Sequence, residues 1–182
     1  IINPRSPDFL YHGLDGYNLC DDVHCQVYSG LISEQPIADA CKSTSGMVLV
    51  DRDSTLIISA FHANCGGETA SSDDIWVSSE PYLTSVKDTF CTAFKPMKWE
   101  RKIPVTEWKS FLGSKGIFVT DDQAIIPVTP SNPVRVHDYV ILGVPIPAAD
   151  IRSYFNLKST YFTVKKDADS LVFSGRGYGH GV

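Results

Sequence analysis

Short apolar runs separated by polar turns dominate this chain, and the spacing inside each run selects an element. Leu56, Ile57, Ile58, Ala60 and Phe61 form an apolar, β-branched run that predicts a buried strand. Met47 to Val50 predicts the strand before it. The turn at Asp51-Arg52-Asp53-Ser54 joins the two as a β-hairpin, which ends in the polar and glycine-rich loop His62 to Gly67. Ile37 to Ser43 predicts a short helix with Cys41 facing the core. Ala70 to Asp74 reads as a polar loop, followed by apolar clusters at Ile75–Val77 and Glu80–Leu83. Cys91 falls in a loop, and Trp99 opens another strand.

The second half has clearer periodicity. Trp108, Phe111 and Leu112 recur at helical spacing after Pro104, which predicts a helix with Thr106 as its N-cap. Gly113 to Val136 is turn-rich, with Pro127, Pro130 and Pro133. Tyr139 to Val144 predicts a buried strand, and Ala148 to Phe155 a helix that breaks at Asn156. Thr160–Val164 and Ser170–Ser174 predict two strands joined by a turn at Asp167-Ala168-Asp169. The last strand discharges into Gly175-Arg176-Gly177-Tyr178-Gly179-His180-Gly181-Val182. Alternation with glycine would display Arg176, Tyr178 and His180 while the backbone lies close to a neighbour. These elements predict a single α+β domain rich in antiparallel strands, with a few short helices and a surface groove.

Composition narrows the function classes. The 182 residues are 43% hydrophobic and 20% charged, ordinary values for a globular chain with a sizeable core. Sixteen basic against 21 acidic residues give −5, without a basic block, which argues against nucleic acid or an anionic membrane as partner. The most apolar segment, Tyr139 to Ala149, is too short to span a bilayer and is broken by Pro145 and Pro147. The chain has neither an initiator Met nor a signal-peptide pattern and so reads as an excised or mature piece. Its five cysteines cannot all pair within the chain.

Two stretches carry chemistry. In the first, His12, Cys20, His24 and Cys25 offer the thiolate and imidazole ligands that suit a closed tetrahedral zinc site. A Cys20–Cys25 disulfide or two free thiols are the alternatives at that point. In the second, His62, Asn64 and Cys65 stand at a predicted strand end before Gly66-Gly67, where a ligand can approach the main chain. Cys65 with His62 or His180 as base would make a Cys–His hydrolase. Glu68, Asp73, Asp74 and Glu80 are loop carboxylates for which the sequence identifies no partner.

The segments CDDVHCQVYSG, SGMVLVD, FHANCGGETASSDDIWVSSEPYLTSVKD, FNLKSTYFTV and GRGYGHGV, in that order, resemble the SpoIID/LytB family of bacterial cell-wall proteins. The resemblance covers the chain apart from roughly Cys91 to Val136, and the terminal GRGYGHGV and the CGGET-to-EPYL block are its most specific parts. It implies an extracytoplasmic protein acting on peptidoglycan. The sporulation branch is similar to a lytic transglycosylase that cuts glycan strands stripped of their stem peptides; the LytB branch is known as an amidase enhancer. A lytic transglycosylase needs one carboxylic acid to protonate the glycosidic oxygen, after which the sugar's own 6-hydroxyl closes an anhydro ring. The family carries that acid on a helix ahead of the CDDVHCQVYSG segment. The expectation is therefore a domain truncated at both ends, with the catalytic glutamate before residue 1. The resemblance implies a groove lined by the His62–Gly67 loop, the Trp76–Tyr82 segment and the Gly175–Val182 strip. Gln26, Tyr28, Asn64 and Arg176 would supply hydrogen bonds to the glycan, Trp76 and Tyr82 apolar faces, with His62, Cys65, Gly66, Gly67, Tyr178 and His180 beside them. By the family's zinc-bearing members, zinc at the first cluster would be structural, fixing the segment that holds Gln26 and Tyr28. A cell-wall amidase is the implied protein partner.

Overall fold

The computed structural model describes residues 16–17, 20–21, 27, 30–31, 33–76, 79–93, 97–119 and 135–182. The chain divides into two compact units, Ile1–Ser59 and Ala60–Val182. Antiparallel sheets and short helices make its class α+β.

In the first unit, helix α1 spans Gln35–Ser43, with a proline in its first turn, where a missing N–H costs nothing. Cys41 is exposed, and α1 buries no residue, contrary to the core placement expected of this cysteine. The predicted hairpin closes through a single bridge, Val50 with Leu56. Asp51 shapes its loop: the backbone N–H groups of Asp53 and Thr55 both donate to its carboxylate at 2.9 Å. The buried strand expected over Leu56–Phe61 does not extend beyond that bridge. Its aliphatic side chains are half-buried, and Phe61, the second residue of the second unit, is 53% exposed. β-branched residues favour a strand only where a partner ladder satisfies their backbone, and no such ladder forms here among the described residues.

The second unit is built on a three-stranded antiparallel sheet of β1 (Lys98–Pro104), β4 (Phe162–Asp167) and β5 (Ser170–Arg176). The order is β1-β5-β4, with β5 central. Alternation explains its faces: Leu171, Phe173 and Gly175 of β5 are buried, and Trp99 and Ile103 of β1 lie on the same side. Trp99 pairs with Gly175, and a Cβ at 175 would run into the Trp99 indole and approach the Tyr161 carbonyl oxygen to 2.7 Å. Glycine there is a packing requirement.

Helix α4 (Val105–Ser114) and helix α5 (Ala148–Phe155) each leave a strand end through an Ile-Pro pair, Ile103-Pro104 and Ile146-Pro147. The structure therefore starts α4 one residue before Thr106, which lies inside the helix, and Pro104 holds the cap position. The Val105 N–H, orphaned by the helix start, donates to the Asp169 carbonyl at 2.9 Å. Trp108, Phe111 and Leu112 are fully buried as their spacing predicts. Trp108 packs against Phe111, Phe155 and Phe173 with ring centroids 5.3–5.5 Å apart. Burying each of these side chains contributes on the order of 2 kcal/mol relative to leaving it exposed. Helix α5 ends at Asn156 in the left-handed conformation, φ 51°, as the sequence indicates.

Tyr139 to Val144 is not one strand but parts of two. β2 (Asp138–Ile141) turns through Leu142-Gly143 into β3 (Val144–Pro147). Both turn residues have positive φ, 50° and 80°, the geometry of a two-residue hairpin loop. Two further expected loops are short helices. α2 (Ser72–Ile75) carries a backbone-to-carboxylate contact from Ser71 N–H to Asp74 at 3.3 Å, and α3 (Phe90–Ala93) contains Cys91. The Asp88 carboxylate caps α3 by accepting the Phe90 N–H at 2.8 Å.

Candidate functional site

The loop 62–70 and the terminal strip 175–182 form one backbone-paired layer in the second unit. Asn64 and Tyr178 exchange hydrogen bonds, N–H to O at 3.1 and 2.8 Å, and the Ala70 N–H donates to Gly181 O at 2.8 Å. Gly177, at φ 80°, sits so close that a Cβ would lie 2.6 Å from the Asn64 carbonyl oxygen. Arg176 and Tyr178 are exposed and His180 half-buried, while Gly175, Gly177 and Gly181 are buried. The glycine alternation does what its pattern implies: it packs the main chain and presents the side chains.

Arg135, which the sequence reading passed over, ties this layer together. Its guanidinium donates to the carbonyls of Cys65 (2.7 Å), Glu68 (3.0 Å) and His180 (3.3 Å), and to Thr160 Oγ1 at 3.4 Å. It also lies over the Tyr161 ring, 5.1 Å from its centroid. Burial pushes its pKa down, but a guanidinium stays charged. Nothing local marks this arginine, since its partners lie 25 to 70 positions away.

Asn64 is buried, and its carboxamide oxygen accepts the Gly66 N–H at 2.9 Å, which shapes the Gly-Gly turn. Cys65 is fully buried; its thiol donates to the Asp88 carboxylate at 3.2 Å, and its sulfur accepts the Gly67 N–H at 3.3 Å. Burial, above all, pushes this thiol up to about 12. A nucleophilic cysteine needs the opposite shift, so the geometry disfavours the Cys–His hydrolase. Asp88 is held below the usual carboxylate range because it accepts hydrogen bonds from the thiols of Cys91 and Cys65. His62, Cys65 and Cys91 each place one ligand atom within 4.8 Å of the others, and the cluster could hold a metal ion.

His180 accepts the Val182 N–H on Nδ1 at 3.1 Å, so its other nitrogen carries the hydrogen, directed at the Phe61 carbonyl. Burial first, then the nearby His62, pulls its pKa down. Half-buried Trp76 stacks obliquely on this imidazole, centroids 5.9 Å apart, and His62 meets it edge-on at 6.2 Å. Tyr82 is half-buried. Of the first cluster, Cys20 is half-buried, and His12, His24 and Cys25 lie outside the described residues, as do Gln26 and Tyr28. Glu68 bridges to Lys87 through its backbone, and its carboxylate accepts from Ser85 Oγ at 3.5 Å.

Two cavities meet beside this layer. One, of about 280 Å³, is lined by Gly66, Cys91, Thr92, Met97, Lys98 and Arg176. The other, an open groove of about 510 Å³, runs over Lys98, Trp99 and Glu100 of β1 and Ser174, Gly175 and Arg176 of β5. Lys98 and Arg176 are register partners across the two strands and border both cavities. Trp76 and Tyr82 line neither of them.

No family model matches the chain. It is, however, similar to stage II sporulation protein D of Bacillus subtilis (strain 168), 31% identical over 147 residues. It is also similar to the amidase enhancer of the same strain, 26% identical over an alignment that takes in 92% of this chain. The chain is SpoIID/LytB-like. A second stage II sporulation protein D, from Bacillus amyloliquefaciens, is 27% identical over 147 residues. Each match with a sporulation protein D takes in 80% of the chain. This SpoIID/LytB-like chain spans less than half the length of each: 42% of both sporulation proteins and 31% of the amidase enhancer. Among its described residues no helix is long and apolar enough to cross a membrane.

Proposed function

We propose that the protein acts outside the cytoplasm on peptidoglycan glycan strands stripped of their stem peptides, as a lytic transglycosylase of the sporulation type. The observation that carries this reading is the pair Lys98 and Arg176 at the junction of the two cavities. Removal of a stem peptide leaves a lactyl carboxylate on each muramic residue, so a stripped strand presents a regular row of negative charges. Two cations on paired strands suit such a carboxylate, and Arg176 can grip it with two parallel N–H groups. Gly66 is buried but lines the smaller cavity, where the lack of a side chain lets a sugar ring come close to the main chain.

Cleavage requires a protonated carboxyl kept neutral by burial. Among the described residues the carboxylate on the groove wall is Glu100, which is exposed on β1. The 182-residue chain is therefore expected to bind stripped strands weakly and to form no anhydro-muramic ends, as read by chromatography with mass detection. Arg176→Ala should weaken binding by at least about tenfold, the loss of one charge-assisted contact. The protein in its natural length should cut. Anhydro ends made by the 182 residues alone would assign the acid role to a carboxylate of this chain, Glu68 first and then Glu100 on the groove wall. The amidase enhancer among the relatives favours a second reading, a glycan-binding partner of a cell-wall amidase. A natural-length protein that binds strands and stimulates an amidase without cutting would establish that role instead.

Structural zinc on His12, Cys20, His24 and Cys25 belongs to the same proposal. Cys20→Ser should remove about one equivalent of zinc per chain by elemental analysis and loosen the N-terminal segment. A Cys20–Cys25 disulfide found by mass spectrometry in a chain with no metal on this cluster would refute it.

A further inference from the structure

We infer that His62, Cys65 and Cys91 form a second binding site, separate from the N-terminal cluster, for a thiophilic divalent cation of the zinc class. One imidazole and two thiols from two segments of the chain, the 62–70 loop and α3, converge with ligand atoms within 4.8 Å of one another. Around zinc, Zn–S near 2.3 Å and Zn–N near 2.0–2.1 Å set tetrahedral ligand separations of about 3.5–3.8 Å. Side-chain shifts of about 1 Å therefore close the site.

Two features of the surroundings already have the form that metal ligands need. His62 Nδ1 is 3.0 Å from the Val182 carbonyl oxygen, so that nitrogen carries the hydrogen and the lone pair of Nε2 is left for an ion. A ligating histidine is ordinarily oriented in this way by a carbonyl or carboxylate on its other nitrogen. At Cys65 the Gly67 N–H points at the sulfur, 3.3 Å away, and stabilises a thiolate there. The positive φ at Gly66 and Gly67, 79° and 111°, lets the chain wrap back over that sulfur.

The metal-free state is also accounted for. Both cysteines are free thiols, and Asp88 accepts hydrogen bonds from both. When the cation binds, the two S–H bonds lose their protons to solvent, two metal–sulfur bonds form, and no electron is transferred. Asp88 is left as a negative charge beside the ion. Three protein ligands leave a fourth position for solvent. A disulfide would use the two sulfurs but give the oriented imidazole no role. Bound there, the ion would staple the Gly-Gly loop to α3, and so fix the wall of the smaller cavity formed by Gly66, Cys91 and Thr92.

The test uses the full chain with Cys20→Ser and Cys25→Ser, so that the N-terminal cluster contributes no sulfur. After reduction, loading with Zn²⁺ and desalting, it should retain about one equivalent. Loaded with Co²⁺ instead, it should show thiolate-to-cobalt charge-transfer absorption. Adding Cys91→Ser should weaken retention by more than about a hundredfold, beyond what loss of an outer partner costs. His62→Ala should also weaken it while preserving the thiolate band at high cobalt. Cys91 is only half-buried on a one-turn helix, so its replacement should leave the circular dichroism unchanged. In the otherwise unaltered chain, Cys91→Ser alone should lower the zinc content by one equivalent. Failure of the folded, reduced double variant to hold zinc would overturn the site. So would equal retention after Cys91→Ser and His62→Ala, or a Cys65–Cys91 disulfide that takes up no metal once reduced.

Discussion

Gly177→Ala is expected to lower the unfolding free energy by about 3 kcal/mol, and Gly143→Ala by about 1 kcal/mol. The two glycines share a φ of 80°, which costs an alanine roughly 1–2 kcal/mol. Their surroundings differ. Nothing lies within 4 Å of a Cβ built at Gly143, in the open hairpin turn. At Gly177 the same Cβ would stand 2.6 Å from the Asn64 carbonyl oxygen and 3.0 Å from the Cys65 carbonyl carbon and the Gly66 nitrogen. Those are main-chain atoms and cannot rotate away, so the layer must separate, at a further cost of about 1–3 kcal/mol. The difference between the variants isolates the close approach from the backbone strain. Thermal denaturation should show a fall of roughly 10 °C for Gly177→Ala, given about 2–4 °C per kcal/mol at this chain length. Equal losses for the two variants would show that the loop and the strip are not held in contact.

This close approach was legible in the sequence because glycine on every second position has few other uses. The inward face of α4 was legible for a similar reason, whereas that of α1 was not, since Cys41 is exposed. Trp108, Phe111 and Leu112 leave no doubt about which side of α4 is inward, and Asn156 marks the end of α5. The failures share a cause as well. Tyr139 to Val144 is uniformly apolar, so periodicity could not show the reversal at Leu142-Gly143, where a leucine adopts a positive φ that its side chain disfavours. Leu56 to Phe61 has strand composition, but pairing is a property of neighbours, and the ladder stops after one bridge.

The candidate site divides in the same way. His62, Cys65 and Gly66 were visible as a run of unlike residues at a loop. Cys91 and Asp88, which meet Cys65 from 26 and 23 positions further on, were not visible as its partners. Lys98 reads as an ordinary solvated charge until β1 is seen to lie beside β5. Only the antiparallel register sets it across from Arg176. Local chemistry can be read from one segment, whereas a site made by long-range pairing appears only once the topology is known.

Arg135→Met is the substitution that tests this long-range assembly, and it is expected to cost about 3 kcal/mol. Methionine keeps most of the apolar stem and removes the fork of donors. The carbonyls of Cys65, Glu68 and His180 then lose the guanidinium that joins them. Each buried acceptor left without a partner costs about 1–3 kcal/mol, and hydrogen bonds to a charged donor lie at the strong end. Cys65 is fully buried, while Glu68 and His180 are half-buried, so water recovers part of the loss at the latter two. Arg135→Lys keeps the charge but can reach only part of that fan of acceptors, and should fall between the variant and the parent. Urea denaturation reads the stability, and binding of stripped glycan strands reads the site, because Gly66 and Arg176 move apart if the layer loosens. Both should decline together, and more steeply for methionine than for lysine. A methionine variant within about 0.5 kcal/mol of the parent, the range of an ordinary surface change, would show that Arg135 does not hold the layer together.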